Sequence, residues 1–145
     1  MGKLADVKDG LKTLVAAAVS SDVVVRVSVD PELLDVEKWP KAVVIVCESA
    51  DHDDNQLVNA INVVSTYQEE NWTWSLYVIC GFSGEPENAV DAADAILAEL
   101  KTGLLSKQAE TNCGPLELRE FAEFNGFAPN RVVYRQEWFH SRCEG

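Results

Sequence analysis

The sequence predicts an α+β fold: a mostly antiparallel sheet with a long β-hairpin and two helices packed on one face. Three observations predict it. Two segments, one near the N-terminus and one following Pro86, repeat apolar residues at three- and four-residue steps, the period of a helix with one buried face. Between them lie β-branched runs and a period-two alternation, the marks of strands. The chain has 145 residues, 47% hydrophobic and 25% charged, which fits one domain (1–145) with a packed core.

Leu4, Val7, Leu11, Leu14, Val15 and Ala18 place the first helix over Leu4–Val19, with Lys3, Asp6, Lys8, Asp9 and Lys12 on its other side. Gly10 weakens it by about 1 kcal/mol relative to alanine without ending it. Val23–Val29 reads as a strand stopped by Asp30-Pro31, because proline offers no ladder donor and restricts the residue before it. Pro31–Pro40 is irregular. Lys41–Glu48 carries the continuous run Val43-Val44-Ile45-Val46, typical of a strand buried on both faces. Ser49–Gln56 reads as an acidic loop. Leu57–Gln68 and Thr73–Phe82 read as the long hairpin, turning at Glu69-Glu70-Asn71, with Trp74, Leu76, Val78, Cys80 and Phe82 on one face.

Pro86 stands near the first position of the second helix. Val90, Ala93, Ile96, Leu97 and Leu100 form its apolar face; Glu87, Asp91, Asp94 and Glu99 form the opposite one. Thr102-Gly103 predicts a left-handed cap. Leu104–Pro115 is a connection, Leu116–Phe124 fits either strand or helix, and Arg131–Phe139 reads as a closing strand.

Twelve Lys+Arg against 24 Asp+Glu give a net charge of −12. That balance disfavours gripping a phosphate backbone, which needs clustered cations, and disfavours an anionic membrane surface. No apolar stretch reaches the ~18 residues of a membrane span, and no basic-then-apolar leader is present, so a soluble cytosolic chain is expected. Cys47, Cys80, Cys113 and Cys143 are widely spaced without a Cys-x-x-Cys pair and are expected to stay reduced.

Asp51-His52-Asp53-Asp54-Asn55 matches the start of a calcium loop, where alternate oxygens converge on one ion. Gln56 then replaces the required glycine and Asn62 the closing glutamate, so a solvated loop is expected, with no metal and no cofactor. His52 and His140 are the only histidines, and neither lies in a nucleophile, metalloprotease or phosphate-loop motif. No catalytic residue is assigned and no enzymatic activity is expected. Among the tryptophans, Trp74 shares a face with Leu76 and Val78 and reads as core. Trp72 and Trp138 fit either core or a protein contact, where aromatics bury much area with few rotors.

The succession of elements is an N-terminal helix Leu4–Val19, a Val-rich strand, the strand Ala42–Val46, and a hairpin ending in Trp74-Ser75-Leu76-Tyr77-Val78. The helix Asn88–Leu100 and a last strand near Val132–Phe139 follow. Taken over most of the chain, this order resembles the tail terminator (tail-completion) proteins of long-tailed bacteriophages. The resemblance implies a sheet packed by two helices and a homo-oligomeric, hexameric ring on the head-proximal end of the tail tube. Such a ring stops tube polymerisation and joins the tail to the neck and head. It implies as partners the tube protein, a neck or head-completion protein and, in contractile tails, the sheath protein. DNA passes through the ring without being held. It also implies residence in the virion after assembly in the host cytoplasm, and it brings no catalytic residues.

On this reading, subunit or partner contacts are expected at Asp51, Asp53, Tyr67, Glu69, Glu70, Trp72 and Trp138. Three rivals stand beside it: another neck or head-closure protein, a small enzyme using paired carboxylates in a pocket, and an acidic DNA mimic that blocks a basic protein. The face Glu87, Asp91, Asp94, Glu99 favours the mimic.

Overall fold

The computed structural model describes residues 3–27, 40–52, 68–82, 84–128 and 130–144. In chain order these form α1 (Lys3–Ala18), β1 (Val24–Val27), β2 (Lys41–His52), β3 (Gln68–Gly81), α2 (Glu87–Leu104), β4 (Glu117–Ala128) and β5 (Arg131–Glu144). The strands make one sheet in the order β1-β2-β3-β5-β4. β1 runs parallel to β2 and every other pair is antiparallel. The fold is therefore α+β, with the helices packed against the sheet, as the apolar periodicities predict.

The two periodicities meet in one core. Val7, Leu11 and Val15 from α1 and Ala89, Ala93, Ile96, Leu97, Leu100 and Leu104 from α2 are buried. They pack with Val43 and Ile45 of β2, Trp72, Trp74, Leu76, Val78 and Cys80 of β3, and Val132 and Trp138 of β5. Two glycines allow close approach to α1, one from α2 and one toward the connection that follows it. A methyl group at Gly103 would collide with Ala18, and one at Gly10 with the carbonyl oxygen of Ala109, so both sites carry the one residue that permits the approach. The helix-weakening Gly10 is thus a packing requirement. Ala42, Val44, Ile79 and Val133 form a second buried cluster on the other side of the sheet. This is why the run at Val43–Val46 is apolar throughout.

Several expectations are corrected. Glu69-Glu70-Asn71 is not a turn: β3 runs unbroken through it, pairing Glu70 with Arg142 and Asn71 with Ser141. A polar triplet can continue a strand when the neighbouring strand supplies its partners. Leu57–Tyr67, the other arm of the expected hairpin, lies outside the described residues, as do Pro31–Trp39. Among the described residues β4 and β5 form a long hairpin, where Ala128 pairs with Arg131 and Asn130 takes a left-handed φ of 66°. Ser49–His52 belongs to β2, which passes a register shift between Cys47 and Ser49 and then pairs with residues 70–73. Residues 117–128 are strand. α2 continues through Gly103 to Leu104, and the left-handed residue beyond it is Ser106, φ 67°.

Candidate functional site

Seven contact residues are expected from the sequence, and the structure separates them. Glu70, Trp72 and Trp138 are buried within the chain itself, with at most 4% of their surface exposed, so these side chains are not offered to a partner. Asp51 lies on β2 opposite Asn71, and Glu69 on β3 opposite Cys143. Asp53 and Tyr67 lie outside the described residues.

What gathers around the three buried residues is a polar network inside the core. The Trp138 indole donates to Gln136 Oε1 at 2.7 Å, and Gln136 Nε2 donates to the carbonyls of Leu97 (3.2 Å) and Phe121 (3.1 Å). One amide thereby ties β5 to α2 and to β4. The Trp74 indole donates to His140 Nε2 at 3.0 Å. An indole nitrogen only donates, so Nε2 must be the acceptor and Nδ1 carries the proton, which faces the Ser141 carbonyl at 3.0 Å. Burial lowers the His140 pKa; the Ser141 carbonyl opposes this and Arg142 adds to it. Trp72 stacks with both Trp74 and His140, with centroids 5.9 Å apart in each case.

Further along β5, Arg142 is 7% exposed. Its Nε and one terminal nitrogen donate to the two Glu110 oxygens at 3.3 and 3.2 Å, and its other terminal nitrogen lies 3.6 Å from Glu70 Oε1. Glu70 also accepts from the Trp72 indole at 3.3 Å. Desolvation opposes the guanidinium charge, but the Glu110 hydrogen bonds and both carboxylates outweigh it and raise the pKa. Every residue of this network is spoken for by another. Its chemistry is cohesion.

On the opposite sheet face Arg135 draws in three carboxylates: Glu137 at 3.0 Å, Glu120 at 3.4 Å and Glu123 at 3.7 Å. The hydrogen bond that a protonated Glu120 carboxyl donates to Glu123 raises the Glu120 pKa, with desolvation and the Glu123 and Glu137 charges adding to it and Arg135 opposing. This rim carries surplus negative charge. The outer face of α2 is acidic at its start, where Glu87, Asp91 and Asp94 are exposed, whereas Glu99 is half-buried and accepts the Ser20 hydroxyl at 2.9 Å.

A cavity of about 290 Å³ lies between Lys41, the end of β3 and the start of α2; among the described residues that line it, Glu85 is the one carboxylate. Burial pushes the Cys80 and Cys113 thiols up to about 11, and both, with Cys47, are free. No group of three or more His, Cys, Asp or Glu side chains among the described residues is placed to hold a metal, and Asp53–Asn55 of the calcium-like string lie outside them. No protein-family model matches the chain, and no curated protein matches it in sequence.

Sequence reasoning missed Gln136, His140 and Arg142 as core residues. The available signal was their two-residue spacing in register with Val132 and Trp138, which assigns all of them to the helix-covered face.

Proposed function

We propose that this chain is a structural virion subunit of a long-tailed bacteriophage. It is a tail terminator that closes into a hexameric ring on the tail tube, ends its polymerisation and joins the tail to the neck. The observation that supports this reading is the architecture: one mostly antiparallel sheet with both helices on a single face, the arrangement that the resemblance implies.

The charge supports it. A wall facing passing DNA works best without cations, and the chain carries −12 overall, with surplus carboxylates around Arg135. The sheet edges limit how subunits join. β4, one of the two edge strands, has three register irregularities and exposed Glu117 and Glu123. A bulged and charged edge resists open strand pairing, so ring contacts at this edge use side-chain surfaces. The partners on this reading are further copies, the tube protein, a neck protein and, in a contractile tail, the sheath. DNA passes and is repelled.

Mass photometry and negative-stain imaging of the protein, alone and with purified tail tubes, test it. Rings, or protein capping one tube end and halting elongation, are the expected result. A chain that neither oligomerises nor associates with tubes refutes it. A second reading, an acidic DNA mimic, rests on exposed Glu87, Asp91 and Asp94. It predicts a salt-sensitive complex with a basic DNA-binding protein instead.

A further inference from the structure

The outer face of α2 has two unlike ends. Glu87, Asp91 and Asp94 are exposed in its first half. Ala98, Lys101 and Thr102 of its second half, with the C-cap residue Leu105, line a groove of about 500 Å³ closed on one side by Phe121 of β4. Asp91, Asp94, Ala98, Lys101 and Leu105 follow one another at steps of three or four residues, so they share one face of the helix. Leu105 is 47% and Phe121 38% exposed. These are large apolar surfaces for the rim of a small domain. The Lys101 ammonium stands 5.9 Å from the Phe121 ring centroid. Neither Lys101 nor the three acids take part in an ion pair among the described residues.

The groove therefore asks for an occupant with an apolar or small contact surface and a carboxylate opposite Lys101. The helix itself meets that description when turned end for end. Asp94 precedes Lys101 by seven residues, about 10 Å along the axis at 1.5 Å per residue, and small Ala98 lies close to the midpoint. A face with anions at one end and a cation at the other is self-complementary about a two-fold axis.

We propose that a second copy of this chain packs its α2 antiparallel across this face. Lys101 of each copy meets Asp91 and Asp94 of the other, Ala98 lies near the axis, and Leu105 and Phe121 flank the partner helix. This pairing does not rest on the ring reading, because a ring is closed by heterologous contacts whereas this contact is isologous. One helix face and its flank offer less than the ~800 Å² per partner of a standard interface, so the dimer forms in a concentration-dependent way.

Sedimentation velocity over a concentration series tests it, with far-UV circular dichroism confirming that each variant folds. The wild type is expected to move from monomer to dimer mass. Lys101→Glu alone, and Asp91→Lys/Asp94→Lys alone, each place like charges opposite one another and should weaken dimerisation by roughly tenfold or more. Mixing the two variants restores attraction at both ends of the helix pair, so the mixture should dimerise where neither component does. Phe121→Ser should weaken the dimer without altering the charge pattern. A wild type that stays monomeric throughout, a dimer indifferent to Lys101→Glu, or a mixture that fails to associate overturns the proposal. Rings that persist while this dimer is absent leave the ring reading standing; a dimer that never forms rings or caps tubes does the reverse.

Discussion

Arg135 and Arg142 stand seven residues apart on β5 and project to opposite faces of the same sheet. Each gathers more than one carboxylate, yet the surroundings differ. Arg142 lies on the helix-covered face, bridged to Cys113 and sharing Glu70 with the Trp72 indole, with its side chain 9% exposed and Glu70 only 5% exposed. Arg135 lies on the open face, 18% exposed, with partners that are 26–51% exposed. Water can replace the partners of Arg135 when an ion pair is broken. It cannot readily reach those of Arg142. The same pair chemistry is therefore a structural commitment on one face and an adjustable surface charge on the other.

The sharpest way to break this contrast is Arg142→Ala. It leaves Glu70 buried without its guanidinium, and such a loss costs roughly 3–5 kcal/mol. Urea denaturation should show a clearly lower midpoint, with the chain close to unfolding in dilute buffer. Arg142→Met paired with Glu70→Gln removes both charges while retaining most of the volume, and should recover much of the loss. A fall below about 1 kcal/mol in the single variant would show that water reaches this network after all.

A second test concerns His140, which shares the covered face. Its pKa is lowered by burial, so the folded chain holds it neutral while the unfolded chain takes up a proton near pH 6.5. Below that pH the unfolded state binds more protons than the folded one, and stability falls as pH drops toward the folded pKa. His140→Gln retains an acceptor for the Trp74 indole but does not titrate. It should flatten the loss of stability between pH 7 and pH 5 relative to wild type. Equal pH slopes for the two proteins would remove His140 from the account.

The difference between the faces also explains what the sequence disclosed. Both helices, β1, the start of β2 and the apolar half of β3 were legible because Leu, Val and Ile recur at one period, and the fold class follows from those alone. Glu69-Glu70-Asn71 looked like a turn because three polar residues in a row end most strands. The residues that keep β3 going, Arg142 and Ser141, lie about 70 positions away on β5, and no local pattern records a pairing at that distance. β5 looked weakly alternating for the same reason: Gln136, His140 and Arg142 occupy buried positions and read as surface. Trp72 and Trp138 are as large and amphipathic as interface aromatics, and only the partners of their indole N–H groups, Glu70 and Gln136, decide that they face inward. The groove beside Leu105 and Phe121 was hidden because it joins two elements that the sequence separates.

The smallest expected effect comes from the open face. Arg135→Ala removes ion pairs to Glu120, Glu123 and Glu137 and the 2.8 Å hydrogen bond to buried Ser75. Half-exposed pairs contribute 0–1 kcal/mol and one hydrogen bond about 1 kcal/mol, so the total loss at neutral pH should be about 1 kcal/mol, well short of Arg142→Ala. The variant should also acquire a distinctive pH response. With the guanidinium gone, three carboxylates face one another without a counter-charge, and the Glu120 pKa, already raised through Glu123, should climb further. A folded pKa above the unfolded one means that the folded state binds more protons, so this contribution is present at low pH and is lost as pH rises through the folded pKa. Arg135→Ala should therefore approach wild-type stability on mild acidification, and Glu120→Gln in the same background should remove most of that dependence. If Arg135→Ala is as damaging as Arg142→Ala and indifferent to pH, the open face is not screened by water, and the distinction between the two guanidiniums fails.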